Sequence, residues 1–134
     1  MADTLDTEAL QVVEAWHAAL NTGDLERLIS VSHPDVEIRG PRGSVRGREV
    51  LRGWVARANV RLEPGRRFGR GKTVVVEEAA TWHNAEIGEK TAEATVATAF
   101  TIADGLVAGI ARHDDLEGAL EDAGLDAGDK VPAE

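Results

Sequence analysis

Apolar side chains in the first sixty residues recur at intervals of three and four, the spacing that places them on one face of a helix. This spacing predicts helices over about 7–21 and 48–59, with a short helix between them that begins after Asp24. The apolar stripe of the first helix consists of Leu10, Val12, Val13, Trp16, His17, Ala19 and Leu20. The stripe of the third helix consists of Val50, Leu51, Trp54, Val55 and Ala58.

Elsewhere the apolar positions alternate, which is typical of strands. Strands are predicted over 36–39, 60–62, 73–82, 90–103 and 106–113, and a last short helix runs from Asp115 to Gly124. Helices followed by a meander of strands predict an α+β fold, in which a curved antiparallel sheet wraps around the N-terminal helices. We expect one domain over residues 1–125 and a polar tail over 126–134.

Asp104 and Gly105 form a two-residue hairpin turn, and such a turn sets the pairing of the strands on either side. With regular pairing, Ala103 lies opposite Leu106 and Val96 lies opposite His113. One face then carries Val96, Thr98, Phe100, Ile102, Val107 and His113, and we expect it to be the concave one. The other carries Ala97, Ala99, Thr101, Ala108, Ile110 and Arg112. Because most of these are small, we predict a homodimer that forms through this outer sheet face.

Composition excludes several kinds of protein. The 134 residues contain no cysteine, which excludes disulfides and thiolate metal sites, and no two histidines have the spacing of a metal pair. We therefore expect no metal and no cofactor. The acidic first residues and the lack of a run of about 20 apolar residues predict a cytoplasmic chain with no membrane partner. The net charge of −9 argues against a nucleic-acid partner.

Positive charge is concentrated in one segment. Residues 39–72 hold eleven of the fifteen lysines and arginines and only two acidic residues. One interpretation is that these arginines pair with acidic faces elsewhere in the domain or in a dimer partner. The other is a single positive surface that steers an anionic ligand toward a pocket.

Several short motifs, in this order, resemble the nuclear-transport-factor-2-like superfamily in its SnoaL-like and ketosteroid-isomerase-like branch. They are Ala18–Leu25, His33–Glu37, Gly40–Gly43, Leu51–Trp54 and the Asp104–Gly105 turn with its strands. The resemblance covers about residues 7–125. It implies a cone-shaped sheet around the first helix, with a pocket for a small molecule, and dimerisation in many members. This fold has many functions, so function has to be argued from the site.

The resemblance also implies where isomerase chemistry would lie. In such isomerases a tyrosine and a protonated aspartic acid donate to the substrate oxygen, and a carboxylate is the base. The motifs align these positions with Trp16, Thr98 and Gly40 respectively. Since glycine cannot accept a proton and indole is only a donor, the usual steroid-isomerase mechanism is not expected.

The polyketide-cyclase branch implies an acidic residue, often with a histidine, near the end of the last strand. His113 and Asp114 are the candidates there, and the alternative is that the aspartates cap the last helix. Glu77 and Glu78 lie on opposite faces of a strand, so one of them could point inward as a base, and His17 is either a core residue or a pocket group.

Three functions are therefore open. The first is a domain that binds a small, mainly apolar molecule. The second is a lyase, isomerase or cyclase that uses a histidine and a carboxylate, and the third is a structural dimer with a filled core. The expected ligand pocket is lined by Trp16, Trp54, Thr98, Phe100 and His113.

Overall fold

A curved six-stranded sheet with helices on both faces organises the molecule. The computed structural model describes residues 5–40, 43–83 and 89–131. The helices are α1 (Thr7–Thr22), α2 (Leu25–Ser30), α3 (Arg48–Ala58) and α4 (Leu116–Ala123), with a 3₁₀ turn at Ala127–Asp129. The strands are β1 (Ser32–Gly40), β2 (Gly43–Arg46), β3 (Val60–Arg70), β4 (Thr73–His83), β5 (Lys90–Ala103) and β6 (Leu106–His113). Among the described residues, no helix has the length and apolar character needed to cross a membrane.

The strand order β2-β1-β6-β5-β4-β3 confirms the predicted α+β class. The sheet is mixed rather than wholly antiparallel, because β1 and β6 pair in parallel. The structure adds β2, which the many glycines around it obscure in the sequence. It also extends β3 through Pro64. Proline has no N–H to donate, and an edge strand such as β3 tolerates it because one side of the strand has no neighbouring strand to pair with. The predicted turn residues Pro41 and Arg42 lie outside the described residues.

The core lies between α1 and the concave face of the sheet. Asp6 caps α1 by accepting a hydrogen bond from the Glu8 N–H, and Gly23 ends the helix with a left-handed φ of 75°. The apolar stripe of α1 meets alternate residues of the central strands. The largest fully buried side chains of this core include Trp16, Phe100, Leu28, Leu51, Val74 and Val76.

The predicted hairpin register is correct at the turn and wrong beyond it. Ala103 pairs with Leu106 and Ile102 with Val107, but a β-bulge then shifts the pairing by one residue. His113 consequently lies opposite Ala97 instead of Val96, and our assignment of His113 to the concave face is wrong. The shift brings Ile110 to the apolar core, which explains why the bulge is favoured over regular pairing.

The C-terminal helix α4 packs on part of the outer face of the sheet. Ala119 of α4 is fully buried there in a second core with Phe68, Val75, Ala97, Ala99, Ala111 and Leu125. The small residues at positions 97 and 99 therefore leave room for the chain's own helix, whereas Thr101 stays exposed. The homodimer remains a prediction.

The beginning of the tail docks on the free edge of β3. The Val131 N–H donates to the Arg67 carbonyl at 2.7 Å, and Lys130 pairs with Phe68. Arg70 forms two hydrogen bonds with the Asp129 carboxylate, at 3.2 and 2.7 Å. Residues up to 131 thus belong to the folded unit, and 132–134 lie outside the described residues.

The arginine-rich segment is neutralised locally. Six of its arginines form ion pairs with carboxylates on α1, α2, β1, β4, α4 and the 3₁₀ turn. The residues involved are Arg39, Arg46, Arg52, Arg66, Arg67 and Arg70. Because their partners are spread over both faces of the sheet, these six arginines do not form one positive surface.

The packing of α4 predicts that enlarging Ala97 destabilises the fold. Ala97→Leu should lower the free energy of unfolding by about 1–3 kcal/mol, because the added atoms have no space beneath α4. Ala79→Leu is the matched control, since Ala79 lies on the same face of the sheet but is exposed. Urea denaturation measures both variants, and equal losses would contradict this packing.

The docked tail predicts that Asp129 contributes to the free energy of unfolding in a pH-dependent way. The hydrogen bond from the Asp126 N–H, assisted by Arg70, holds the pKa of Asp129 below its usual range despite some burial. The charged carboxylate therefore stabilises the fold above its unfolded pKa of about 3.9, and this contribution is lost as the pH falls through the lowered value. Asp129→Asn should be less stable than wild type at pH 7, with the difference shrinking in acid. Urea unfolding at several pH values measures it, with Asp35→Asn as an exposed control.

Candidate functional site

A buried histidine–carboxylate pair joins α1 to the sheet. His17 and Glu78 are 2% and 1% exposed, and His17 Nε2 lies 2.5 Å from Glu78 Oε2. The alternation of β4 buries Val74, Val76, Glu78 and Ala80 in turn, so the carboxylate points into the apolar core. Helical spacing places His17 beside Val13, and its Nδ1 bonds the Val13 carbonyl at 2.9 Å.

Thr98 completes the network from the neighbouring strand. Its hydroxyl Oγ1 donates to Glu78 Oε1 at 2.6 Å, and its side chain is buried. Both carboxyl oxygens of Glu78 therefore have partners, and so do both ring nitrogens of His17. The carboxyl group is fixed between β5 and α1.

The partners determine where the protons are. A carbonyl oxygen only accepts, so His17 Nδ1 carries a proton and donates it to Val13. One further proton is shared between Nε2 and Oε2, either on the ring or on the carboxyl group. The pair is electrically neutral in both cases, which makes its burial in an apolar core tolerable.

Aromatic rings surround the pair. The rings of Trp16, His17 and Phe100 contact each other edge to face, with centroid distances of 5.2–5.3 Å. The Trp16 Nε1 donor is buried, and no described residue accepts a hydrogen bond from it. These contacts fix the ring of His17 and leave one unused donor beside it.

A cleft of about 330 Å³ leads to His17 from the edge of the sheet. It runs between α1 and β3, where a register shift at Pro64–Arg67 interrupts the pairing with β4. Its lining residues are Val13, Glu14, His17, Ala18, Asn21, Pro64, Arg67 and Val76. A small molecule in this cleft would lie beside His17, whose ring is bonded to Glu78.

A family model described as a SnoaL-like domain matches residues 13–110. The chain belongs to this family. The match covers most of the chain and includes His17, Glu78 and Thr98. A search of curated proteins finds no match to this SnoaL-like domain.

Solved structures confirm the fold of this SnoaL-like domain. It is similar to TerC, which was co-crystallised with polyporic acid, with a TM-score of 0.69 and 22% identity over 87% of this chain and 97% of TerC. A candidate polyketide cyclase from Xanthomonas campestris gives a TM-score of 0.68 and 18% identity, covering 84% and 93% of the two chains. An NTF2-like protein from Burkholderia xenovorans has a TM-score of 0.64 and 26% sequence identity. The match covers 87% of this chain and 95% of the Burkholderia chain.

Of the five predicted pocket residues, the structure brings three together. Trp16, Thr98 and Phe100 are buried and lie around the His17–Glu78 pair. Trp54 packs half-buried against the same core from α3 but does not line the cleft. Since Trp16 and Phe100 are fully buried, they fill this part of the SnoaL-like core instead of lining an open pocket.

His113 and Asp114 lie elsewhere. His113 Nε2 is 3.2 Å from the Asp122 carboxylate of α4, on the outer side of the sheet. Asp114 is exposed in the turn before α4, and Asp115 caps that helix by accepting from the Gly118 N–H. The helix-capping alternative therefore fits this region of the SnoaL-like domain. Among the described residues no cluster of three or more His, Asp or Glu side chains could hold a metal ion.

The sequence alone does not show that Glu78, and not Glu77, points into the core. Its neighbour Glu77 has the same side chain, and the valines of β4 are buried on both faces, so alternation does not show which glutamate points inward. The structure resolves this because Glu77 binds Arg66 at the surface while Glu78 meets α1.

The Thr98 contact predicts a cost when its hydroxyl is removed. Thr98→Val leaves Glu78 Oε1 buried without a donor, which should destabilise the fold by about 1–3 kcal/mol. Thr98→Ser keeps the hydroxyl and should lose less. Thr101→Val is the control, since Thr101 is exposed on the same strand. Chemical denaturation compares the three, and a Thr98→Val protein as stable as wild type would contradict the contact.

Proposed function

We propose that this SnoaL-like domain binds a small, mainly apolar molecule in the cleft between α1 and β3 and transfers a proton on it through His17. The observation that carries the proposal is the buried His17–Glu78–Thr98 network at the inner end of that cleft. Buried ion pairs add little to stability compared with apolar packing. Titratable groups paired in this way at a cleft are instead typical of functional sites.

His17 Nδ1 is the atom that we propose exchanges the proton. Its present acceptor is the Val13 carbonyl, and Val13 also lines the cleft. That carbonyl lies in the middle of α1, where it also accepts a backbone hydrogen bond of the helix. It therefore keeps one hydrogen bond when the imidazole turns away. A ligand atom in the cleft can then take its place at Nδ1.

The proposed step has two balanced states. With its Nδ1 proton, the pair is neutral and His17 is a general acid. When that proton passes to solvent through the cleft, the pair carries one negative charge. Glu78 then holds the remaining proton on Nε2, and Nδ1 is a general base. Acting as the base, Nδ1 takes a proton from a ligand carbon, and the electron pair of the broken C–H bond stays on the ligand as an enolate. The same nitrogen returns the proton to another ligand atom.

Such proton transfer is common to isomerases, lyases and cyclases. Solved structures with this fold support a reaction of this general class. TerC was crystallised with polyporic acid, and the Xanthomonas campestris relative is a candidate polyketide cyclase. His17 is the proposed catalytic residue. Glu78 and Thr98 act through it as positioning residues, because they fix the ring and its protonation.

Proton exchange on a simple ketone tests the proposal. We expect the wild-type protein to accelerate the exchange of the α-hydrogens of 1-tetralone in D₂O above the buffer rate, followed by proton NMR. His17→Gln should remove most of this acceleration, since general acid–base groups contribute about 10²–10⁴-fold. Glu78→Gln should also lower it, and Thr98→Ser should retain more of it than Thr98→Val.

The control for these variants is His113→Gln, the same substitution at the histidine on the outer side of the sheet. It should exchange the ketone at the wild-type rate. A wild-type protein that exchanges no faster than buffer would overturn the acid–base proposal. If such a protein still bound the ketone, its function would be binding alone, and an absence of binding would favour a structural role.

A further inference from the structure

An ion pair spans the cleft that leads to His17. Glu14 Oε1 on α1 lies 2.7 Å from Arg67 Nη1 on β3, and both residues line the cleft. Their side chains are 47% and 33% exposed, so solvent reaches the contact. The pair connects the two walls at the place where a ligand would enter.

Among the described residues that line this cleft, Arg67 is the one permanent cation. The other polar lining residues in the described part of the chain are Glu14, His17 and Asn21. The Asn21 side chain is occupied, since it donates to the Leu62 carbonyl and accepts from the Leu62 N–H, both at 2.9 Å. The remaining walls are apolar. A ligand with an anionic group thus has one matching group in the cleft, the Arg67 guanidinium.

The backbone of Arg67 is held in place from both sides. It pairs with Val76 of β4 on one side, and its carbonyl accepts from the Val131 N–H at 2.7 Å on the other. Its guanidinium has five N–H donors, and the described contact with Glu14 uses Nη1. Arginine binds a carboxylate well through two parallel hydrogen bonds, whereas Glu14 makes one described contact with it.

The contact with Glu14 can be exchanged easily. Solvent-exposed ion pairs contribute little to stability, so its replacement by an equivalent contact costs little. A released Glu14 carboxylate would turn into solvent, to which it is already half exposed. Glu14 thus acts as an internal competitor that occupies Arg67 until a ligand carboxylate arrives.

We propose that the cleft selects small apolar carboxylic acids, whose carboxylate displaces Glu14 from Arg67. The apolar body of the ligand then lies against Val13, Pro64 and Val76 and extends toward His17. The cleft of about 330 Å³ is at the small end of ligand pockets, which favours a compact acid. This inference rests on the proposed function for the location of the ligand and adds its chemical class.

Matched pairs of acids and their amides test the inference. The probes are naphthalene-2-carboxylate and naphthalene-2-carboxamide, with the benzoate pair as a smaller set, and calorimetric titration measures their affinities. We expect wild type to bind each acid at least about tenfold more tightly than its amide. Arg67→Gln should abolish this preference. Glu14→Gln should tighten acid binding several-fold, because the competitor is gone, and leave amide binding unchanged.

Arg66→Gln is the matched control. It makes the same change in charge one residue away, but Arg66 binds Glu77 at the surface and does not line the cleft. It should keep the preference for acids. Equal affinities for acid and amide in wild type, no binding of either at millimolar concentration, or an equal loss in Arg66→Gln and Arg67→Gln would each overturn the inference.

The two proposals fail in different experiments. A preference for acids that depends on Arg67, in a protein that does not exchange the protons of 1-tetralone, would overturn the catalytic proposal alone. Exchange of the neutral ketone without any preference for acids would overturn the carboxylate inference alone. Weaker acid binding in the Glu14→Gln variant would likewise contradict the displacement of Glu14.

Discussion

Helix α1 is held against the sheet by a contact that shares a proton within an otherwise apolar core. Apart from Thr98, the core around His17 and Glu78 consists of aliphatic and aromatic side chains, so His17 Nε2 and Glu78 Oε2 satisfy each other or remain unsatisfied. Removal of one partner of such a buried pair typically costs about 3–5 kcal/mol. This constraint couples the position of α1 to that of β4. Both walls of the cleft depend on that coupling, because α1 forms one of them and β3 pairs with β4.

The two faces of the sheet differ in what covers them. The concave face receives α1 and a large aromatic core, and the outer face receives α4 on small side chains such as Ala97 and Ala99. In β4 this means that consecutive residues, Val74 to Val76, are all buried. A strand that is buried on both faces loses the alternation that would distinguish inside from outside. Beyond the valines the two faces differ, since Glu78 and Ala80 are buried whereas Ala79 is exposed.

The sequence was sufficient for the fold class and for most elements, because helical and strand periodicities are local and the Asp104–Gly105 turn has the positive φ angles of a tight hairpin. It was insufficient where packing between distant parts of the chain determines the strand register and which side chains meet. The bulge between Thr101 and Ile102 depends on Ile110 packing into the core, and the shift moves His113 to the outer face of the sheet. The parallel pairing of β1 with β6 likewise has no local signal. His17 and Glu78 lie 61 positions apart, so only the folded chain brings them together.

Two of the positions that align with the isomerase residues lie next to the His17–Glu78 pair. Of the three positions that correspond to the isomerase machinery, Gly40 is exposed at the end of β1, while Trp16 and Thr98 both lie beside the His17–Glu78 pair. In this chain the buried carboxyl group is on β4, next to the β5 position where the resemblance implies an aspartic acid. Thr98 at the β5 position supplies a hydroxyl that binds this carboxyl group. The buried Trp16 N–H, whose ring contacts that of His17, has no acceptor among the described residues. In this chain the buried carboxyl group beside position 98 is therefore that of Glu78, and Thr98 is its hydrogen-bond donor.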